Sequence, residues 1–239
     1  MAQNDRRARI VATRALSPSV RSLLLEVEHD ALRPFSFVAG QWVNVYVPVR
    51  DTLEKRAYSI ASGPASSQVE LAVTHVPEGV VSPVLHDLEV GAEIGLDGPH
   101  GFFTRAGLAA DVPLLFVGTG TGVCPLRSML AELLADPAHP PVTLLFGART
   151  ERDILWREEL EGWAARDPRF QLAVTLSRPD ANWQGRRGYV QAHVAALARA
   201  LGEPHVFICG LNRMVGEVRA LCKSELGYDR KRIHSERYD

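Results

Sequence analysis

The sequence predicts a β plus α/β protein of two domains: an N-terminal six-stranded antiparallel barrel with one capping helix, then a parallel sheet covered by helices on both faces. Three observations predict it. Over the first hundred residues, short runs rich in Val, Ile, Leu and aromatics are separated by Pro, Gly, Asp or Ser turns, the spacing of a small sheet that closes on itself. Beyond residue 112 the strand-like runs become almost continuously apolar and alternate with helical segments, which requires crossover connections and strands buried on both sides. A length of 239 residues, 46% of them hydrophobic, supplies two modest cores.

Six runs, 8–16, 20–28, 41–49, 56–62, 68–76 and 92–99, read as barrel strands, the first starting near Arg9. After Gly79, the residues Ser82, Val84, Leu85 and Leu88 read as one amphipathic helical piece with Ser82 as its N-cap. Further strands are expected at 113–118, 142–147, 170–176 and 205–210, with helices at 123–134, 154–165 and 190–201. The expected domains are therefore residues 1–108 and 109–239, joined near 104–112.

Composition excludes several function classes. The 27 Lys and Arg balance 28 Asp and Glu, so no global field attracts nucleic acid or an anionic membrane. Cys124, Cys209 and Cys222 cannot form a paired disulfide framework, and none has a C-x-x-C partner for zinc or an iron-sulfur cluster, so no metal and a cytoplasmic setting are expected. The N-terminus lacks an apolar leader core, and no stretch reaches the ~18 apolar residues that cross a bilayer. Arg6, Arg7, Arg9 and Arg14 would suit a targeting segment, but Asp5 and its short length speak against that.

Two segments carry chemistry. Leu114–Val117 runs into Gly118-Thr119-Gly120-Thr121-Gly122 and then a helix with Pro125 in its first turn. Glycines admit a diphosphate close to the backbone, the N–H groups and helix start favour the anion, and the two Thr hydroxyls add donors. A tight strand-to-helix turn without ligand would look similar; the flanking strand and helix favour the ligand. The loop lacks the G-K-[ST] ending of a triphosphate site and departs from the G-x-G-x-x-G order of the usual dinucleotide fingerprint. In the barrel, the alternation of Arg56-Ala57-Tyr58-Ser59-Ile60-Ala61-Ser62 puts Arg56, Tyr58 and Ile60 on one face and Ala57, Ser59 and Ala61 on the other. A guanidinium clamps phosphate, an aromatic packs on a flat ring and a hydroxyl bonds a ring nitrogen. The same residues would also make an edge strand with a solvated Arg and a core Tyr.

Six segments in order, Arg56 to Ser62, Gly79 to Ser82, Gly98 to Phe103, Gly118 to Pro125, Cys209 to Met214, and Glu236-Arg237-Tyr238, make the chain resemble the ferredoxin-NADP reductase superfamily over essentially its whole length. The resemblance implies FAD in the barrel and a nicotinamide nucleotide on a Rossmann-like second domain. It implies that Arg56, Ala57, Tyr58 and Ser59 hold the flavin, with Arg56 on the diphosphate, Tyr58 against the ring and Ser59 near N5. Val73, Thr74 and His75 would contact the diphosphate and adenosine, Val80, Val81 and Ser82 the diphosphate, and Thr121 would also lie near the flavin. Gly118, Thr119, Gly120 and Gly122 would take the nicotinamide nucleotide, with Cys209 and Gly210 bordering the nicotinamide and Met214 a further contact of the nucleotide. Cys124 and Cys222 read as packing residues.

NADP(H) is preferred over NAD(H), which stays possible. Ser177 and Arg178 close the third α/β strand and Arg187 and Tyr189 come after them; these suit a 2'-phosphate, no acidic residue stands at 178 to repel it, and Arg149 is a further candidate contact of the nicotinamide nucleotide. The Trp183, Gly185, Gly188 pattern also occurs in NADH-using relatives, and a solvated loop fits as well. At the chain's end, the resemblance gives Tyr238 the aromatic that stacks on the flavin and Glu236 the supporting carboxylate, with Asp239 extending past them. Ser59, Cys209, Glu236 and Tyr238 are thus the candidate catalytic residues. The expected activity is that of a ferredoxin-NAD(P)+ reductase: hydride from NAD(P)H to bound FAD, then single electrons to ferredoxin or flavodoxin, from a monomer that binds neither nucleic acid nor membrane. Lys55, Arg56 and the early arginines are a candidate docking face for such acidic partners. An NAD(P)H:flavin reductase or the reductase component of an oxygenase is the alternative.

Overall fold

A computed structural model describes residues 6–28 and 34–238. The expectations that fall on Asp5 and Asp239 lie outside the described residues. The chain divides into two compact units, residues up to 105 with 127–132, and 106–126 with 133 onward.

The first unit holds β1 (Arg6–Ser17), β2 (Val20–Val27), β3 (Trp42–Val49), β4 (Thr52–Ser59), β5 (Val69–Thr74), α1 (Ser82–Asp87) and β6 (Glu93–His100). Its sheet runs β4-β3-β6-β1-β2-β5, antiparallel between all described neighbours. An antiparallel bridge from Ile60 to Leu71 joins the two edges and closes the sheet. Alternation decides the faces: Val43, Val45 and Val47 of β3 point inward with Ile10, Leu23, Leu25, Leu71 and Leu96, and Leu85 of α1 completes the core. β1 begins at Arg6, three residues before the sequence-based start, and β4 begins at Thr52, before the run at 56–62. α1 corrects a second expectation. Val81, not Ser82, is the cap residue and makes no side-chain cap bond, while Pro83 occupies the first turn.

The second unit holds β7 (Leu114–Thr119), a 3-10 turn (Gly120–Gly122), the start of α2 (Val123–Leu133), β8 (Val142–Ala148), α3 (Arg157–Arg166), β9 (Phe170–Leu176), β10 (Arg186–Arg187), α4 (Gln191–Leu201), β11 (His205–Leu211), α5 (Asn212–Ser224) and β12 (Ile233–Tyr238), with two further 3-10 turns at Glu151–Asp153 and Arg230–Arg232. All six strands are parallel in the order β10-β9-β8-β7-β11-β12. The central strands β8, β7 and β11 are buried along nearly their whole length, as strands covered on both faces must be. One face packs Leu115, Val117, Leu145, Val206 and Ile208 against Val194 and Ala198 of α4 and Val215, Val218 and Cys222 of α5. The two edge strands β10 and β12 and the helix α5 have no counterpart among the elements expected from the sequence. β10 is two residues long, and β12, IHSERY, is polar enough to read as a frayed tail.

Candidate functional site

In the first unit, β4 leaves Lys55, Arg56 and Ala57 exposed. The Arg56 guanidinium donates to Lys55 O at 2.7 Å and stands 3.8 Å from the Glu54 carboxylate, two local contacts that leave most of its fork open. Tyr58 is half-buried against the barrel core. Burial pushes its phenol up to about 12, against the pull of the Arg56 charge, so it is a neutral hydroxyl at physiological pH. Ser59, opposite Trp42, is buried.

Val73, Thr74 and His75 lie at the end of β5. Val73 is buried, and its carbonyl accepts from His86 Nε2 at 2.8 Å. Thr74 and His75 are exposed, and the His75 ring meets His86 edge-on at 5.0 Å. Val80 is exposed, but Val81 and Ser82 are buried, and the Ser82 hydroxyl accepts from the Val76 N–H at 3.0 Å. That hydroxyl is therefore occupied in closing the 76–82 turn. The first N–H groups of α1 lack an intrahelical acceptor, as at any helix start.

In the second unit the chain leaves β7 and β11 in opposite directions, the switch point at which open parallel sheets bind ligands. The two strand ends are pressed together. A Cβ on Gly122 would lie 2.3 Å from Cys209 O, and one on Gly210, whose φ is +148°, would lie 2.5 Å from Thr119 Oγ1 and 2.8 Å from Met214 Cε. Gly118, Thr119, Gly120, Gly122, Cys209, Gly210 and Met214 thus converge, with Thr121 in the same turn. Cys209 is fully buried; burial, then the Glu236 carboxylate, pushes its thiol well up, against a hydrogen bond from Tyr238. β12 places Glu236 beside Cys209 and Tyr238 beside Leu211 in register. Cys124 and Cys222 are buried too, and burial raises the Cys222 thiol to about 11.

The cations expected at the nicotinamide nucleotide separate into two kinds. Arg178 and Arg149 are both at the strand ends, tied by Arg178 N–H to Arg149 O at 2.8 Å, and among the described residues neither guanidinium has a hydrogen bond or ion pair. Arg187 instead spends its guanidinium on Asp180 O (3.2 Å) and Trp183 O (2.7 Å). The Ser177 hydroxyl leans on Ala148 O at 3.5 Å, and Tyr189 is 73% exposed. Sequence reasoning missed Thr175 and His193, which hold the neighbouring turn; a hydroxyl at the buried end of a strand was the available signal.

The early arginines do not form a free basic face. Arg7, Arg9 and Arg14 lie 3.7, 3.6 and 3.5 Å from Glu93, Glu26 and Glu70, and Arg6 stands over the Phe35 ring. Cross-strand pairing, invisible to a reading of β1 alone, neutralises the run. Among the described residues no helix is long and apolar enough to cross a membrane, and no group of His, Cys, Asp and Glu could hold a metal ion.

Two family models match the chain. Residues 7–104 match the model of the oxidoreductase FAD-binding domain, and residues 116–220 that of the oxidoreductase NAD-binding domain. The chain is 52% identical over 239 residues to ferredoxin–NADP reductase B of Sorangium cellulosum, covering 97% of each chain. It is 35% identical to the reductase component DmpP of phenol 2-monooxygenase from Pseudomonas sp. (strain CF600), covering 88% of this chain but only 59% of that one. Its fold superposes on a ferredoxin NADP+ reductase of Neisseria gonorrhoeae, solved with FAD and NADP, with TM-score 0.85 at 19% identity, covering 98% of both chains.

Proposed function

The chain belongs to the ferredoxin–NADP reductase family of FAD- and NAD(P)-dependent oxidoreductases, and from that premise we propose that it takes a hydride from NAD(P)H and delivers single electrons to ferredoxin. The observation that carries the reading is the convergence of the glycine turn after β7 with Cys209 and Gly210 after β11, a backbone-lined, neutral strand-end site of the kind that admits a dinucleotide. The first unit fits FAD by its donor set: an open guanidinium, a neutral phenol, a buried hydroxyl and free N–H groups at the start of α1.

FAD, when bound, supplies the chemistry by accepting a hydride and releasing electrons one at a time. The chain's residues hold and orient. Arg56 would clamp the flavin diphosphate with the N–H groups of Val80 to Ser82, Tyr58 and Ala57 would border the ring and ribityl chain, and Ser59 would bond its N5. Val73 would contribute backbone, and Thr74 and His75 exposed side chains, toward the adenosine. Thr121 keeps its proposed role near the flavin. Gly118, Thr119, Gly120 and Gly122 would take the second diphosphate, and Gly210 and Met214 would border the nicotinamide. Cys209, its thiol raised by burial, keeps its proposed place beside the nicotinamide. Ser177, Arg178 and Arg149 would receive a 2'-phosphate, which favours NADP(H) over NAD(H); Arg187 would shape the turn and Tyr189 would meet the adenosine. Glu236 and Tyr238 keep their proposed places beside the reacting rings. A barrel domain of residues 1–108, an α/β domain of 109–239, a cytoplasmic monomer and flavodoxin as a second acceptor belong to the same proposal.

The relative from phenol 2-monooxygenase supports a second reading, the reductase component of an oxygenase system. Purified protein should be yellow with FAD that NADPH bleaches anaerobically, and mixing the reduced protein with ferredoxin should reduce the ferredoxin. Colourless protein, or flavin that neither nicotinamide nucleotide bleaches, would overturn the reading.

A further inference from the structure

The loop between Asp180 and Tyr189 is built on side-chain donors. Carbonyls 180 and 183 accept from Arg187, carbonyl 186 accepts from the Trp183 indole at 2.8 Å, carbonyl 187 lies 3.1 Å from His193 Nε2, and carbonyl 188 accepts from Thr175 Oγ1 at 3.0 Å. The last two form one network, because Thr175 Oγ1 also lies 3.1 Å from His193 Nε2.

The proton count fixes who donates. Thr175 has one hydroxyl proton, and a carbonyl can only accept, so that proton goes to Gly188 O. The Thr175 oxygen must then accept from His193, which places a proton on Nε2; the same N–H faces Arg187 O. Protonation of the other ring nitrogen would leave this donor in place. His193 is half-buried in the first turn of α4, and Thr175 is fully buried at the end of β9, so one is held by a helix and the other by the sheet, and neither by the loop.

The segment they hold has little else. β10 is two residues at the sheet edge, paired only through Arg186 to Thr175 and Arg187 to Leu176, with one further backbone bond from Gly188 N–H to Leu176 O. A pair so short is marginal without added ties. From it the chain turns at Gly188 (φ +94°) and presents Tyr189, 73% exposed, from beside the end of β9.

We propose that His193, through Thr175 and the 187 and 188 carbonyls, is the positioning residue for the adenosine end of the nicotinamide nucleotide. The role rests on the reading of the second unit as the NAD(P) site. His193 touches no ligand; it sets the turn from which Tyr189 and the phosphate-facing edge are presented.

The test is steady-state NADPH oxidation by the FAD-loaded enzyme with ferricyanide as acceptor, for wild type, His193→Phe and His193→Gln. Phe keeps a flat ring and removes the donor; Gln returns an N–H near the same place. Loss of one hydrogen-bond donor shared by two acceptors should raise KM for NADPH about tenfold, with kcat within about twofold. Gln should recover most of that rise, and neither variant should change the melting temperature of the FAD-bound protein beyond a few degrees. An unchanged KM in His193→Phe overturns the proposal, as does a fall in kcat at unchanged KM, or a Gln variant no better than Phe. If wild type oxidises neither NADPH nor NADH, the nucleotide reading itself fails and this role fails with it; an active wild type with an indifferent His193 sinks only the positioning role.

Discussion

The two candidate site regions are built on opposite principles. In the barrel, β4 projects side chains outward: Lys55, Arg56 and Ala57 are exposed, and only Tyr58 and Ser59 return to the core. In the second unit the site is made by backbone, with Gly122 against Cys209 O and Gly210 against Thr119. The first can lose a side chain and keep its fold; the second has no room for an added methyl. The barrel segment just past Ser59, however, is closely tied by buried polar side chains. Arg127 donates to Ala61 O at 2.6 Å and pairs with Glu70 at 3.0 Å, Glu70 accepts from Ser22 at 2.6 Å, and Ser128 donates to Ser62 O at 2.7 Å.

That contrast sets an order of expected effects. Arg127→Ala leaves the buried Glu70 carboxylate short of a partner and should cost about 3–5 kcal/mol, read as a lower midpoint in urea. A loss below about 1 kcal/mol would mean that the barrel's strand end is as tolerant as its exposed start. Gly122→Ala should cost about 2 kcal/mol or more by forcing the β7 and β11 ends apart, with weakened NADPH binding; a neutral result would break the idea that this site is backbone packed. Arg56→Ala should leave the midpoint of the FAD-free protein unchanged while FAD affinity falls by about 2 kcal/mol, measured by fluorescence titration. Equal losses of fold and FAD would erase the distinction between the two regions.

The smallest effect is in pH, and the two units should respond at opposite ends. His234 donates to or accepts from His205 at 2.9 Å and stacks on Phe207 at 4.3 Å; burial, then the neighbouring His205, lowers it to about 4. A base lowered in the folded state contributes stability above its unfolded value of about 6.5 that is lost as pH falls toward 4. Because the ring keeps part of its solvent, we expect about 1 kcal/mol, visible as a lower melting temperature at pH 5 than at 7 and absent in His234→Phe. Tyr58 gives the reverse case: raised from about 10 to about 12, its contribution to the barrel holds below pH 10 and is lost as pH rises through 12.

Much of this organisation was legible in the residues. The strand at 170–176 coincides with β9, the glycine turn lies between a strand and a helix, and Arg56, Tyr58 and Ser59 stand on one strand. Less legible was where each polar side chain spends its hydrogen bonds. Ser82 reads as a cap but turns back to Val76, and Arg187 reads as a phosphate ligand but holds carbonyls 180 and 183. Arg7, Arg9 and Arg14 read as a basic run but face Glu93, Glu26 and Glu70 from three other strands.

By itself, the sequence determined the order of the two units, the period of each and the residue types at their strand ends, because alternation and apolar runs record which faces each segment must bury. Only the tertiary structure decided which cations stand free, which hydroxyls point outward and that His193 reaches Thr175. Those outcomes depend on partners brought from other elements, and a single segment's pattern records that a side chain is polar without recording what it meets.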